Sequence, residues 1–371
     1  MGQIKLDTDD RTVYSLSALF PPLFIERLVE PMFGDRARGE MAAAYLGAPL
    51  AYAFARMCRR PRVDFKSLHS RAAYEGIESR MVRSRAVELA VGLAAEGLDC
   101  VALKGLATAL TVYPRPSYRR LPDVDFLFRE ADLPRLAECL SGRGFVTGDA
   151  RGAIRAWGVL SETSYAPIFQ ADRTFTVDVH RIVDDPPVSL GLDTDLVFAK
   201  AHTVTTEWGE CRVASREHSF AIAALNLYRD FYRPEALKGL FDCCLILNRF
   251  GDGLDWTHVE AAARRGRFVN RMIFFRDLLD ALGAGRAPLF ENRTLARWLR
   301  PSLAAVVENC RTFAWLVMSD RRKMLLEAGL LDSPLETVRL HWRRLRGLAA
   351  PPTHFLPGLR IVKAGDLPPV D

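Results

Sequence analysis

Residues 100–128 constrain this chain more than any other stretch: Cys-Val-Ala-Leu-Lys-Gly-Leu-Ala-Thr-Ala-Leu-Thr-Val-Tyr-Pro-Arg-Pro-Ser-Tyr-Arg-Arg-Leu-Pro-Asp-Val-Asp-Phe-Leu-Phe. The apolar run from Cys100 to Leu103 reads as a buried strand, and Lys104-Gly105 reads as a turn. A short helix of small and apolar residues follows. A second strand then opens with Asp123-Val124-Asp125 and closes with Phe126-Leu127-Phe128. Residues two apart on a strand point to the same face, so Asp123 and Asp125 project side by side while Val124 and Phe126 face the other way. Adjacent carboxylates repel unless a cation or a shared proton lies between them. A hard divalent ion with oxygen ligands, Mg²⁺ above all, meets that need. The same triplet also fits a strand whose first turn is merely acidic and solvated.

With 371 residues, 49% of them hydrophobic, the chain has enough apolar surface for a sizeable core divided among two or three packed subdomains. A formal charge of +6 and a pI near 9.0 suit a phosphate-rich ligand without requiring one. The seven cysteines (Cys58, Cys100, Cys139, Cys211, Cys243, Cys244 and Cys310) are odd in number and show no Cys-x-x-Cys spacing. Most have apolar neighbours, which predicts reduced core thiols in a cytosolic compartment. The N-terminus has no apolar signal core, and no segment reaches the roughly 18 uninterrupted apolar residues needed to span a bilayer. The expectation is a cytoplasmic protein with no membrane partner.

Residues 1–97 read as helical. Leu46, Leu50, Ala53, Phe54 and Met57 recur at helical spacing until Arg59-Arg60-Pro61-Arg62 ends the pattern. Over 70–96, Tyr74, Ile77, Met81, Leu89 and Leu93, with Val82 and Ala86, form an apolar stripe, and Arg71, Glu75, Arg80 and Arg83 lie largely off it. Gly97 marks the helix end. Past the Asp-x-Asp strand, Asp132 is a good N-cap, with Leu133, Leu136 and Leu140 inward and Gly144 beyond the end. An irregular stretch is expected over 145–162, then a hairpin of strands 163–169 and 174–182. In its second strand Phe175, Val177 and Val179 make an apolar face, while Thr176, Asp178 and His180 make a polar one. A turn at Pro186-Pro187 and a polar segment to Ser215 lead into apolar-periodic helices over 221–228, 237–250 and 259–282. Further amphipathic helices follow over 294–349, and residues 351–371 form a Pro- and Gly-rich tail.

The succession of strand, glycine turn, helix and Asp-x-Asp strand resembles the core of the polymerase-beta-type nucleotidyltransferases. Within that superfamily, Leu103-Lys104-Gly105, Tyr113-Pro114 and Arg119 ahead of Asp123-Val124-Asp125 are similar to a bacterial family described as uncharacterised nucleotidyltransferases. Its members share Leu-Lys-Gly, an Arg, Asp-Ile-Asp-Leu-Leu and a later Asp-Leu-His strand. The resemblance is specific over 98–182 and diffuse over the helical remainder. It implies an α+β fold, with a small mixed sheet in a core over 98–184. That core would lie between helical regions 1–97 and 185–350, with the tail at 351–371.

The resemblance also implies a chemistry. Nucleotidyl transfer needs phosphate charge neutralised and the attacking and leaving oxygens held in line, which paired metals accomplish. Asp123, Asp125 and Asp178 would be the catalytic, metal-holding carboxylates, because the superfamily's third carboxylate lies on a strand like that of Asp178. Lys104, Gly105 and Arg119 would bind the nucleotide. Gly105 would let the backbone approach phosphate at a helix N-terminus. Leu106 replaces the superfamily's serine after the glycine, so Lys104 either substitutes as a phosphate-contacting cation or is a surface lysine. Arg120 fits a turn-stabilising ion pair. His180 fits a hydrogen-bonded partner of a carboxylate better than a base, and Arg181 stands where the family tends to have an aromatic. The implied activity is Mg²⁺-dependent transfer from a nucleoside triphosphate, ATP foremost, to a small-molecule, peptide or protein acceptor. The alternative is a catalytically silent module that binds a nucleotide or partner. No P-loop, Gly-x-Ser-x-Gly, His-Glu-x-x-His or Gly-x-Gly-x-x-Gly pattern competes. The runs Arg264-Arg265, Arg321-Arg322-Lys323 and Arg343-Arg344 lack interleaved aromatics, which argues against a nucleic-acid partner.

Overall fold

The computed structural model describes residues 18–148, 168–170, 175–184, 186–229, 236–312, 330–333, 335, 338–339, 342 and 356–362. Apolar side chains from the start of this range, Phe20, Phe24, Leu28 and Phe33, enter the main helical core. Helix α1 (Arg36–Leu46) begins where the Asp35 carboxylate accepts from the Arg38 amide at 3.1 Å. Helix α2 (Ala48–Met57) ends ahead of the arginine cluster. Helix α3 (Phe65–Ala95) is capped by Asp64, which accepts from the amides of Lys66 and Ser67, and it stops at Gly97 with φ +74.

The apolar stripe expected on α3 is buried only in its C-terminal half. Ala86, Leu89 and Leu93 pack in the core that contains the sheet, whereas Tyr74, Ile77 and Met81 are exposed and Arg83 is buried. The inward face of the N-terminal half is carried by Leu68 and Ala72 instead. The helix changes its packing partner along its length, so one periodic stripe cannot describe it.

Beyond α3 the chain enters an α+β core. Strand β1 (Val101–Ala102) leads into α4 (Lys104–Thr111), and β2 (Val124–Leu127) follows. The expected turn at Lys104-Gly105 is the first turn of α4 itself. Helix α5 (Leu133–Gly142) buries Leu133, Leu136 and Leu140 as expected. Asp132 stands at its N-cap position without a capping hydrogen bond, because the chain enters α5 from a 3₁₀ turn at Glu130–Asp132 and leaves that residue in helical φ/ψ.

Part of the stretch expected to be irregular is strand β3 (Phe145–Gly148); residues 149–162 lie outside the described residues. The expected hairpin is present as β4 (Ile168–Gln170) antiparallel to β5 (Thr176–His180), while its connecting residues 171–174 are also outside.

Two further strands arise where a polar segment was expected. After α6 (Thr194–Lys200), strands β6 (His202–Thr206) and β7 (Gly209–Val213) form an antiparallel hairpin, and β7 pairs parallel with β1. In the tail, β8 (Ile361–Val362) pairs parallel with β3, and Leu356 and Leu359 are buried, so this part of the tail is docked. The mixed sheet runs β6-β7-β1-β2-β5-β4-β3-β8. Strands β2 and β5, which bear the acidic motifs, are central in it.

Among the described residues the helices that follow are α7 (Arg216–Arg229), α8 (Ala236–Phe250), α9 (Trp256–Arg265), α10 (Val269–Ala281) and α11 (Arg300–Thr312), and most of the amphipathic stretch expected beyond residue 312 lies outside the described residues. The single apolar pattern over 259–282 is two helices, since Arg267 takes φ +54 between them. All seven cysteines are free thiols. Among the described residues no helix is long and apolar enough to cross a membrane.

Candidate active site

Strands β2 and β5 run parallel with Asp125 opposite Asp178 and Leu127 opposite His180. Register partners on adjacent strands share a face, which the alternation of Val177 and Val179 inward with Asp178 and His180 opposite predicts. The result is a compact donor set. One ligand atom each from Asp125, Asp178 and His180 lie within 4.8 Å of one another, with Asp125 and His180 buried. Two carboxylates and an imidazole at that spacing fit a divalent cation, the carboxylates being the hard donors that Mg²⁺ takes.

Asp125 is densely engaged. Its Oδ1 is ion-paired with the Lys104 ammonium and lies 2.8 Å from His180 Nε2. Lys104 Nζ is in turn 3.2 Å from the same imidazole nitrogen. Burial alone would raise the Asp125 pKa; the Lys104 charge and the His180 hydrogen bond outweigh it and hold the carboxyl well below the usual range. Asp123 moves the opposite way. Burial, then the Asp125 charge, raise its pKa, against the opposing charges of Lys104, Lys238 and Arg119. The expected repulsion within the pair thus falls on Asp123.

Lys104 is the first residue of α4 and has φ +46, a left-handed conformation uncommon for a residue with a Cβ. It is neither a surface lysine nor simply open to a phosphate, because its ammonium reaches back onto β2. Gly105 is buried at a close approach: a Cβ there would come within 2.8 Å of Leu121 Cδ2 and 3.5 Å of Arg119 Nη2. Arg119 Nε donates to both oxygens of Asp242 at 3.0 and 3.1 Å, and Nη1 donates to the Arg120 carbonyl at 2.9 Å. Nη2 has no hydrogen-bond acceptor among the described residues, so this edge of the fork is available beside Gly105. Arg120 donates to the Ala44 carbonyl at 2.8 Å, a structural role.

Asp242 and Lys238, both on α8, are additions that the sequence reading did not single out. Asp242 is 2% exposed and also accepts from the Tyr113 hydroxyl at 2.8 Å. Burial disfavours the Arg119 charge, but Asp242 and Tyr113 more than offset this and raise its pKa. The signal was a lone carboxylate within Leu-Phe-Asp-Cys-Cys-Leu-Ile-Leu: a charge in an apolar helix is paired when buried.

This sheet, with its carboxylates on neighbouring central strands, defines a nucleotidyltransferase fold. A family described as "Uncharacterised nucleotidyltransferase" matches residues 42–282, and the chain belongs to that family. Among solved structures, an antigenic nucleotidyltransferase-like protein from Paracoccidioides brasiliensis is similar at 18% identity and a TM-score of 0.35, covering 55% of this chain and 94% of its own. No curated protein matches the chain.

Proposed function

We propose that the protein transfers a nucleotidyl group from a nucleoside triphosphate, ATP foremost, to an acceptor that is a small molecule, a peptide or a protein, with Mg²⁺. The observation that carries this reading is the register Asp125 opposite Asp178, which supports a shared cation between two strands. Asp125 and Asp178, with His180 in the same cluster, would hold the metal, and Asp123, which is not part of that cluster, would complete the carboxylate set. When bound, Mg²⁺ neutralises phosphate charge and lowers the pKa of the acceptor hydroxyl.

The chain's own residues do the rest. Arg119, fixed through Nε by Asp242, offers Nη2 to a phosphate oxygen beside Gly105. The amides at the N-terminus of α4 add partial positive charge there. Lys104 supplies a full charge on the same turn, and His180 holds Asp125 in orientation. The helices on either side of the sheet, α1–α3 before it in the chain and α7–α11 after β7, would form the acceptor pocket.

The test is thermal stabilisation by a panel of nucleoside triphosphates with and without Mg²⁺. The reading expects a shift that requires the metal and is largest for ATP. A panel that leaves the melting temperature unmoved in both conditions would count against it.

A further inference from the structure

Lys104 engages two of the three residues that the donor set offers to a cation. Its Nζ is ion-paired with Asp125 Oδ1 and stands 3.2 Å from His180 Nε2, and those two atoms are 2.8 Å from each other. Both residues belong to the group that Asp178 completes. A Mg²⁺-sized ion sits about 2.0–2.1 Å from its ligands. An ammonium within hydrogen-bonding distance of two of those residues would crowd an ion held by them and repel its charge. The imidazole Nε2 offers a single site in its plane: protonated it donates to Asp125 Oδ1, and deprotonated its one lone pair can accept from the ammonium or ligate a metal but not both. Ammonium and divalent cation therefore compete for one place.

The backbone is consistent with a side chain held back onto β2. Lys104 takes its left-handed conformation at the point where the chain leaves β1, and the Leu103 amide just before it donates to the Asp125 carbonyl at 2.9 Å. The Thr108 hydroxyl donates to the Lys104 carbonyl at 3.2 Å, so the turn is tied at both ends. A lysine stem has four rotatable carbons, and the ammonium can swing while this backbone stays fixed. Gly105 and the amides of α4 lie on the same turn, where a triphosphate would draw the ammonium.

We propose that Lys104 is a placeholder for the divalent cation: it holds Asp125 and His180 until a triphosphate draws its ammonium away, so that metal and nucleotide bind as a pair. This rests on the nucleotidyltransferase reading above. By linkage, whatever factor nucleotide adds to metal affinity, metal adds to nucleotide affinity. Metal without nucleotide is kept weak, and Lys104 passes from a carboxylate partner to a phosphate partner within one binding event.

The experiment is calorimetric titration of Mn²⁺, a stand-in for Mg²⁺, into the full-length protein without nucleotide. Lys104→Met and Lys104→Gln are compared with the wild type, and Asp178→Asn is placed in each background. The glutamine variant keeps a polar side chain should the methionine variant fold poorly. The proposal expects Mn²⁺ to bind the Lys104 variants at least about tenfold more tightly than the wild type, roughly 1.4 kcal/mol, with Asp178→Asn abolishing that binding. Unchanged or weaker Mn²⁺ binding in both Lys104 variants, still removed by Asp178→Asn, would overturn the placeholder and leave the nucleotidyltransferase reading standing. Absence of any Mn²⁺ binding that depends on Asp178 would overturn the metal site itself, and the placeholder with it.

Discussion

Two buried carboxylates, Asp242 on α8 and Asp125 on β2, have similar partners on paper and different physical situations. Each is paired with a cation and one further polar group. Asp242 holds the Arg119 Nε at 3.0 and 3.1 Å and the Tyr113 hydroxyl at 2.8 Å. Arg119 is tied a second time through the Arg120 carbonyl, and its planar fork has little freedom to leave. Asp125 instead holds a flexible primary ammonium and an imidazole, with a second carboxylate from Asp178 alongside. The first arrangement is a closed joint between the sheet and the helical region. The second is a charged cluster that groups an ammonium, an imidazole and two carboxylates. Burial of an ion pair does not separate the two roles; what its members can do instead does.

The largest effect should come from breaking the closed joint. Asp242→Ala leaves the buried Arg119 charge without its carboxylate, and stability should fall by about 3–5 kcal/mol, read by urea denaturation. A loss below about 1 kcal/mol would mean that the pair behaves as a solvated one.

Asp178→Asn should act on the other side of the comparison. Transfer should drop at least about 10²-fold, near 2.7 kcal/mol of barrier, while nucleotide affinity stays within about tenfold and the melting temperature changes little. Normal transfer by this variant would remove β5 from the site.

A smaller contrast separates the Asp-x-Asp neighbours. The depressed pKa of Asp125 means that its pairing stabilises the fold above the unfolded carboxylate value of about 3.9; that stability is lost as pH falls through the depressed folded value. Asp123, with its raised pKa, loses stability as pH rises through its folded value. Asp123→Asn should therefore raise the melting temperature at neutral pH and Asp125→Asn lower it. In carboxyl NMR titrations Asp123 should take its proton at the higher pH. The reverse order would dissolve the distinction.

The smallest effect concerns the backbone at Lys104. Its φ of +46 favours glycine, so Lys104→Gly should be more stable than Lys104→Ala by about 1–2 kcal/mol, both having lost the ammonium and both binding triphosphate more weakly. Equal stability of the two variants would show no strain there.

Much of the site was legible because its chemistry follows strand periodicity. Asp123-Val124-Asp125 and the alternation from Thr176 to His180 each fix a face locally, and the register Asp125 opposite Asp178 brings the two faces together. Lys104 was legible as a candidate but not as a partner of Asp125, because that contact depends on a left-handed φ that a lysine rarely takes.

The β6–β7 hairpin was missed although Thr203, Val204, Thr205 and Thr206 carry β-branched side chains ahead of a glycine turn. Its exposed, polar first strand reads like a loop when taken alone. Strand β8 has two residues and arises only from pairing with β3. Asp242 could be recognised as a charge needing a partner, but Arg119 lies 123 residues away in sequence, and no local pattern joins them.

The most direct measurement uses ATP labelled at either the α- or the γ-phosphorus, incubated with the protein, Mg²⁺ and a cell extract. The account predicts that α-label appears on an acceptor, that γ-label leaves as pyrophosphate, and that Asp125→Asn abolishes both. Label passing to acceptors from the γ-phosphorus alone, or α-label transferred equally by the Asp125→Asn variant, would contradict it.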